Sequence, residues 1–172
     1  MNDLRRDRPF RHGPIRSRLP DSTSPRSRVV SEDNDLPIIS EQLLIDRGKS
    51  LGVSDVQNKI ICGDAATCLS RVPDQTVACA ITSPPYWNLV DYGVKGQIGE
   101  GSYADYRGEL IRVWKEIDRL LRPNGKFCLN VPLMPLKKKV SKAHFGETHT
   151  RMLLDLPGDM KADILHNTSL RF

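Results

Sequence analysis

Apolar residues are spread unevenly along this chain, and their spacing separates helix from strand. From Tyr103 to Leu121 they recur every three or four residues, at Tyr106, Leu110, Val113, Trp114, Ile117, Leu120 and Leu121, which lines one face of an α-helix. Ser102 stands where an N-cap belongs, and Pro123-Asn124-Gly125 supplies a stop. Two other stretches lack that period. Lys59 to Cys62, and the β-branched and small apolar run from Val77 to Thr82, predict buried parallel strands. Ala65 to Leu69 turns between them through a brief helix that Pro73-Asp74 breaks. Lys126 to Val131 supplies a further strand. The order strand, turn, strand, loop, helix, strand implies a parallel sheet with crossover helices, an α/β architecture.

The remaining pattern is weaker. Ile39, Leu43, Leu44 and Leu51, with Gly52 as a stop, predict a short helix over Ile38 to Leu51. Towards the end, His149 to Leu156 and Asp159 to Asn167 read as two short helices separated by Pro157-Gly158.

Composition changes the picture chiefly at the N-terminus. With 172 residues and 38% hydrophobic content the chain fits one domain. Its formal charge is +5, and residues 1–30 hold eight arginines against Asp3, Asp7 and Asp21, so the remainder balances to zero. That segment is poor in aliphatics and interrupted by Pro9, Pro14, Pro20 and Pro25, so it buries too little surface to offset its ordering entropy. Residues 1–35 are therefore expected to form a disordered basic tail. Its arginines, Arg5 and Arg6 among them, suit an arm that holds DNA phosphate without reading sequence; the alternative is a solvated leader. Lys137-Lys138-Lys139 is a second basic run, open to the same two readings.

No run of eighteen apolar residues and no apolar leader exists, so membrane insertion and secretion are not expected and the chain is assigned to the cytoplasm. Cys62, Cys68, Cys79 and Cys128 form no CxxC pair and read as buried thiols. Neither they nor His144, His149 and His166 have ligand-like spacing, so no metal site is expected.

The chemistry concentrates at Thr82-Ser83-Pro84-Pro85-Tyr86-Trp87, at the carboxyl end of the Val77 to Thr82 strand, where open α/β sheets bind ligands. Two consecutive prolines fix φ and remove both amide donors, leaving a rigid loop whose carbonyls can face a bound group. A planar amine fits that arrangement. Its lone pair is delocalised into a ring, so methylating it requires acceptors that hold its hydrogens and make the nitrogen more tetrahedral. The Ser83 hydroxyl and the Pro84 carbonyl are candidates. Tyr86 offers a face on which an extruded base can stack, because the target atom is unreachable inside a duplex. Trp87 and Tyr92 can serve as contacts to base or DNA, or as core aromatics.

Ser83-Pro84-Pro85-Tyr86 resembles the [Asp/Asn/Ser]-Pro-Pro-[Tyr/Phe/Trp] signature of DNA amino-methyltransferases, and the serine form with a preceding threonine is similar to the cytosine-N4 branch. The neighbourhood continues the resemblance: Ile60-Ile61-Cys62-Gly63-Asp64 upstream, then Asn88 to Gly93, Gln97-Ile98-Gly99, Tyr103, Leu120 to Lys126 and Leu129-Asn130 downstream, over roughly residues 58 to 131. The resemblance implies a parallel-sheet, Rossmann-like methyltransferase fold, of which residues 36–172 would be a partial catalytic domain. It implies S-adenosyl-L-methionine as cofactor, with Asp64, Thr82 and Ser83 near it, although Asp64 can equally cap the following turn. It implies Ser83, Pro84, Pro85 and Tyr86 as the catalytic set, double-stranded DNA with a flipped base as substrate, and a cognate restriction endonuclease as partner. Methylation of adenine N6, or an inactive DNA-binding fragment or subunit, are the alternatives.

Two departures qualify these expectations. The family's Phe-x-Gly-x-Gly loop has no counterpart here, since Gly99-Glu100-Gly101 follows no strand. The order of motifs matches the permuted branch, in which the catalytic half comes first, so the chain is expected to be a fragment of such an enzyme. Leu129-Asn130-Val131-Pro132 also differs from the usual Asn-Gly-Asp form.

Overall fold

The structure is a computed structural model, which describes residues 36–42, 51–146 and 152–172. The basic tail and its Arg5 and Arg6 lie outside the described residues. The elements run β1 (Ile38–Ser40), α1 (Val53–Val56), β2 (Ile60–Cys62), α2 (Ala65–Leu69), β3 (Val77–Thr82), a 3-10 turn (Trp87–Leu89), α3 (Tyr103–Leu120), β4 (Leu121–Leu129), β5 (Met134–Leu136), α4 (Lys138–Phe145), β6 (Met152–Leu154) and α5 (Leu156–Asn167).

Helix α3 organises the packing. Tyr106, Leu110, Val113, Trp114, Ile117 and Leu120 are its buried stripe. At its start the Ser102 hydroxyl accepts from the Asp105 amide at 3.1 Å while the Asp105 carboxylate accepts from the Ser102 amide at 3.0 Å, satisfying two otherwise orphaned donors. The stripe meets Ala80, Phe127 and Leu129 of β3 and β4, Ala66 of α2, and Leu156, Met160 and Ile164 of α5 in one core cluster. Two polar ties fix α3 laterally. Arg107 grips Asp163 of α5 in a bidentate pair at 2.8 and 2.6 Å, while Arg119 donates to the Leu69 and Val72 carbonyls at 2.9 and 2.8 Å and pairs with Asp74 and Glu116.

The strands pair as three two-stranded units: β1 with β2 and β3 with β4 in parallel, β5 with β6 antiparallel. The parallel α/β character agrees with expectation, but one continuous sheet is not formed among the described residues. Local pattern identifies a strand without specifying its lateral partner. In β3–β4 the register runs from Cys79 opposite Lys126 to Thr82 opposite Leu129, with a shift between Val77 and Cys79.

Several boundaries differ from the sequence reading. Ile38–Ser40 is strand β1, not the start of a helix; its alternating exposed-buried-exposed pattern buries Ile39 alone, and residues 43–50 lie outside the described residues. β4 starts at Leu121 instead of Lys126, because Arg122 precedes Pro123 and is biased against helix, and because Leu121 pairs with Val77. Met152–Leu154 is strand β6. Pro157-Gly158 does not interrupt a helix but opens α5, where the missing proline amide costs nothing and the Asp155 carboxylate caps Gly158 N at 3.0 Å.

The thiols also need correction. Cys68 is buried, but Cys62, Cys79 and Cys128 are exposed. β3 and β4 bury one face only, against α3; on the other face Ile81 is 78% exposed beside Cys79 and Cys128. A run of small apolar residues is compatible with burial on either one face or two, and periodicity does not separate them.

Candidate active site

Strand β3 delivers Thr82 to its carboxyl end, and the parallel ladder continues one step beyond β4, with Asn130 N donating to Thr82 O at 3.0 Å. That step brings Asn130 beside Ser83. The Asn130 side-chain amide donates to Ser83 Oγ at 3.1 Å. Ser83 Oγ and the Tyr86 hydroxyl are 3.0 Å apart, and each lies 3.3 Å from the Asn130 carbonyl oxygen. Two hydroxyls, an amide and a carbonyl thus converge at the edge of the strand pair. Ser83 and Asn130 are exposed and Tyr86 is half-buried, so an incoming group can reach them.

The loop that carries Ser83 and Tyr86 is pinned from below. Pro84 is buried and Pro85 half-buried. The Pro85 carbonyl accepts from the Tyr106 hydroxyl of α3 at 2.7 Å. Burial pushes that phenol above its ordinary pKa, while the backbone N–H of Trp87 works in the opposite direction. Tyr106 therefore stays protonated and donating at any ordinary pH. Sequence periodicity assigned it to the core, correctly, but could not show that its polar end holds the proline loop.

Trp87 takes a core position. It is fully buried, its Nε1 donates to Gly101 O at 3.3 Å, and its ring packs edge-on against Tyr103, His144 and Phe145. Its φ of +48° is an uncommon conformation for a bulky residue. Gly99 is what makes room: at φ +95° it packs so closely that a Cβ there would stand 2.6 Å from Trp87 O. Tyr92, by contrast, is 54% exposed.

Asp64 caps α2. Its Oδ1 accepts from Thr67 N at 2.9 Å and from Thr67 Oγ1 at 2.6 Å, with Arg112 at 3.7 Å. The Thr67 hydroxyl is the main influence that holds its carboxyl below the usual range. Its backbone N–H donates to Glu41 at 2.8 Å. Gly63, just before it, packs against the chain's own Glu41 and Cys68 side chains, where a Cβ would meet atoms at 2.5 and 2.8 Å. This glycine serves internal packing and not an open cradle.

A cleft of about 590 Å³ opens between the Gly96–Gly101 loop and the first turns of α3, with Glu100, Asp105 and Glu109 in its lining. That acidic lining disfavours phosphate. Lys137 and Lys138, at the start of α4, are exposed. No group of three potential metal ligands occurs among the described residues, and no described helix is long and apolar enough to cross a membrane.

No family model matches the chain. Among curated proteins it is 36% identical over 111 residues to the Type II methyltransferase M.MwoI of Methanothermobacter wolfeii, a match covering 64% of this chain and 15% of that protein. It is 43% identical over 70 residues to Type II methyltransferase M.XycI of Xanthomonas campestris pv. cyanopsidis, covering 40% and 23% respectively. With Type II methyltransferase M.SmaI of Serratia marcescens the figures are 40% over 74 residues, 42% and 25%. The chain therefore spans between 15% and 25% of the length of these relatives. A Thermus thermophilus protein described as a DNA modification methylase, also solved with S-adenosyl-L-methionine, aligns with 60% of this chain at a TM-score of 0.45 and 29% identity. The match covers 37% of that protein. The matched part of the chain is similar in sequence to Type II methyltransferases.

Proposed function

We propose that this chain presents the acceptor side of a DNA amino-methyltransferase site, holding the N4 amino group of a flipped cytosine for methylation by S-adenosyl-L-methionine. The observation that carries this reading is the convergence of Ser83, Tyr86 and Asn130 at the carboxyl end of the β3–β4 pair. An exocyclic amine carries two hydrogens, and acceptors fixed around it localise its lone pair towards the donor. Ser83 Oγ and the Pro84 carbonyl supply those acceptors. Tyr86 supplies the stacking face for the extruded base, and Tyr106 keeps the loop from moving as the amine is gripped.

The donor contributes an electrophilic methyl group when bound. Its reacting end is assigned to the strand edge at Thr82 and Ser83. The described residues do not form a cradle for the rest, because Gly63 is filled by the chain's own side chains and Asp64 is engaged in its cap. A direct transfer needs no covalent enzyme intermediate, and the four cysteines have no part in it. The likeness to Type II methyltransferases supports a double-stranded DNA substrate and a cognate restriction endonuclease as partner.

The test is transfer of a labelled methyl group to unmodified bacterial DNA, followed by digestion to nucleosides. N4-methylcytosine supports the proposal, while N6-methyladenine would assign the same chemistry to the other amine. Ser83→Ala and Tyr86→Ala should each abolish transfer while leaving the fold intact, and undiminished turnover in both would refute the site. The limited coverage of the relatives favours a second reading, a DNA-binding part without turnover of its own. DNA affinity with no transfer by the wild-type chain would support that.

A further inference from the structure

We infer that Asn130 is a positioning residue for the amino-group site, acting on Ser83 and Tyr86 through both its side chain and its carbonyl; this rests on the proposed function above. The strand pair does not need that side chain. The backbone bond from Asn130 N to Thr82 O already continues the ladder, and Pro132 two residues on ends it by lacking a donor. Nor does burial require the contact, because Asn130 is exposed and water could satisfy its amide. Yet the amide points at Ser83 Oγ across 47 positions of sequence.

Donor and acceptor capacity explains the use. A serine hydroxyl has one proton and two lone pairs, and a tyrosine hydroxyl has one proton to give. Of the four distances in the cluster, three close a ring that uses each hydroxyl proton once: Asn130 amide to Ser83 Oγ at 3.1 Å, Ser83 to Tyr86 at 3.0 Å, and Tyr86 to the Asn130 carbonyl at 3.3 Å, a carbonyl equally near Ser83 Oγ. Both hydroxyl protons are then directed inward, and one Ser83 lone pair is left facing outward for an amine hydrogen. Each donor polarises the next, which holds the ring together. Without the Asn130 amide, Ser83 loses the donor that fixes its lone pairs, and its hydroxyl can turn to present its proton to the amine, a donor facing a donor.

Two variants of the full chain test this: Asn130→Leu, which keeps the approximate shape without the amide, and Asn130→Ala. The first readout needs no turnover. With tyrosines carbon-13 labelled at Cζ, and the Tyr86 signal identified by Tyr86→Phe, both Asn130 variants should shift that signal while the melting temperature moves by no more than about 2 °C. An unmoved Tyr86 signal overturns the inference. The second readout is methyl transfer, where kcat should fall about tenfold with KM for DNA changed less than about twofold. A loss confined to KM, or unchanged kcat in an active wild-type background, also overturns it. A wild-type chain that transfers nothing while the Tyr86 signal still shifts removes the proposed function and leaves the positioning contact standing.

Discussion

Two loops of this molecule leave the carboxyl end of a parallel strand, and they use their polar residues in opposite ways. After β2, the Asp64 carboxylate turns back onto its own segment, accepting its hydrogen bonds from Thr67 three residues on. After β3, Ser83 reaches Asn130, 47 positions away. The first bond forms whenever a local turn forms, so it stabilises a helix start. The second exists only once β4 has paired with β3, so it reports the assembled fold. Topological position alone therefore does not identify a site; the range of the hydrogen bonds separates a cap from a cluster able to meet a ligand.

The largest effect that sharpens this contrast is in turnover. Ser83→Ala should lower methyl transfer by about a hundredfold or more, with stability in urea changed by no more than about 0.5 kcal/mol. Tyr106→Phe should act on both scales. Removing its bond to the Pro85 carbonyl should cost about 1–2 kcal/mol and lower transfer several-fold by loosening the loop. Asp64→Ala should cost about 1 kcal/mol without changing the Tyr86 environment; a shifted Tyr86 signal in that variant would break the distinction between the two loops.

Acid should reveal a smaller effect on the local caps. Asp64 and Asp105 are both held below the usual carboxylate range, chiefly by hydrogen bonds from the Thr67 and Ser102 side chains respectively. A depressed folded pKa contributes stability above the unfolded value, about 3.9, and loses it as pH falls through the folded value. Urea midpoints should accordingly fall below about pH 4, and less steeply in Asp64→Ala. Thiol labelling offers a last check. Burial pushes Cys68 up to about 11 and also raises Cys79, so at pH 8 the exposed Cys62 and Cys128 should react with an aromatic disulfide well before Cys68.

Much of the scaffold was legible because its signals are local. The stripe from Tyr106 to Leu120 gave α3 within a residue of its end, Val77–Thr82 gave β3, and the Ser102 cap was readable from one side chain. The misread elements carry ambiguous local signals. Ile38–Ser40 is too short for its period to decide between strand and helix, and Pro157 ends a helix or opens one depending on its position in the first turn. Exposure of Cys79 and Cys128 depends on what covers the second face of β3–β4, which periodicity does not encode. The motif residues Ser83, Pro84, Pro85 and Tyr86 were named from sequence, and Ser83 and Tyr86 are indeed neighbours. Asn130 and Tyr106 were seen only as a motif position and a core position, because contacts spanning 21 to 47 residues leave no local trace.

The burial of Trp87 one residue from Tyr86 also makes the site optically addressable. The chain has two tryptophans, and the other, Trp114, packs with Phe127 outside the proposed site, 5.4 Å between ring centres. Replacing Trp114 with phenylalanine leaves a single indole whose emission comes from the residue adjoining the proposed stacking face. A base settling on Tyr86 would then be followed directly by fluorescence, in real time and without a label on the DNA.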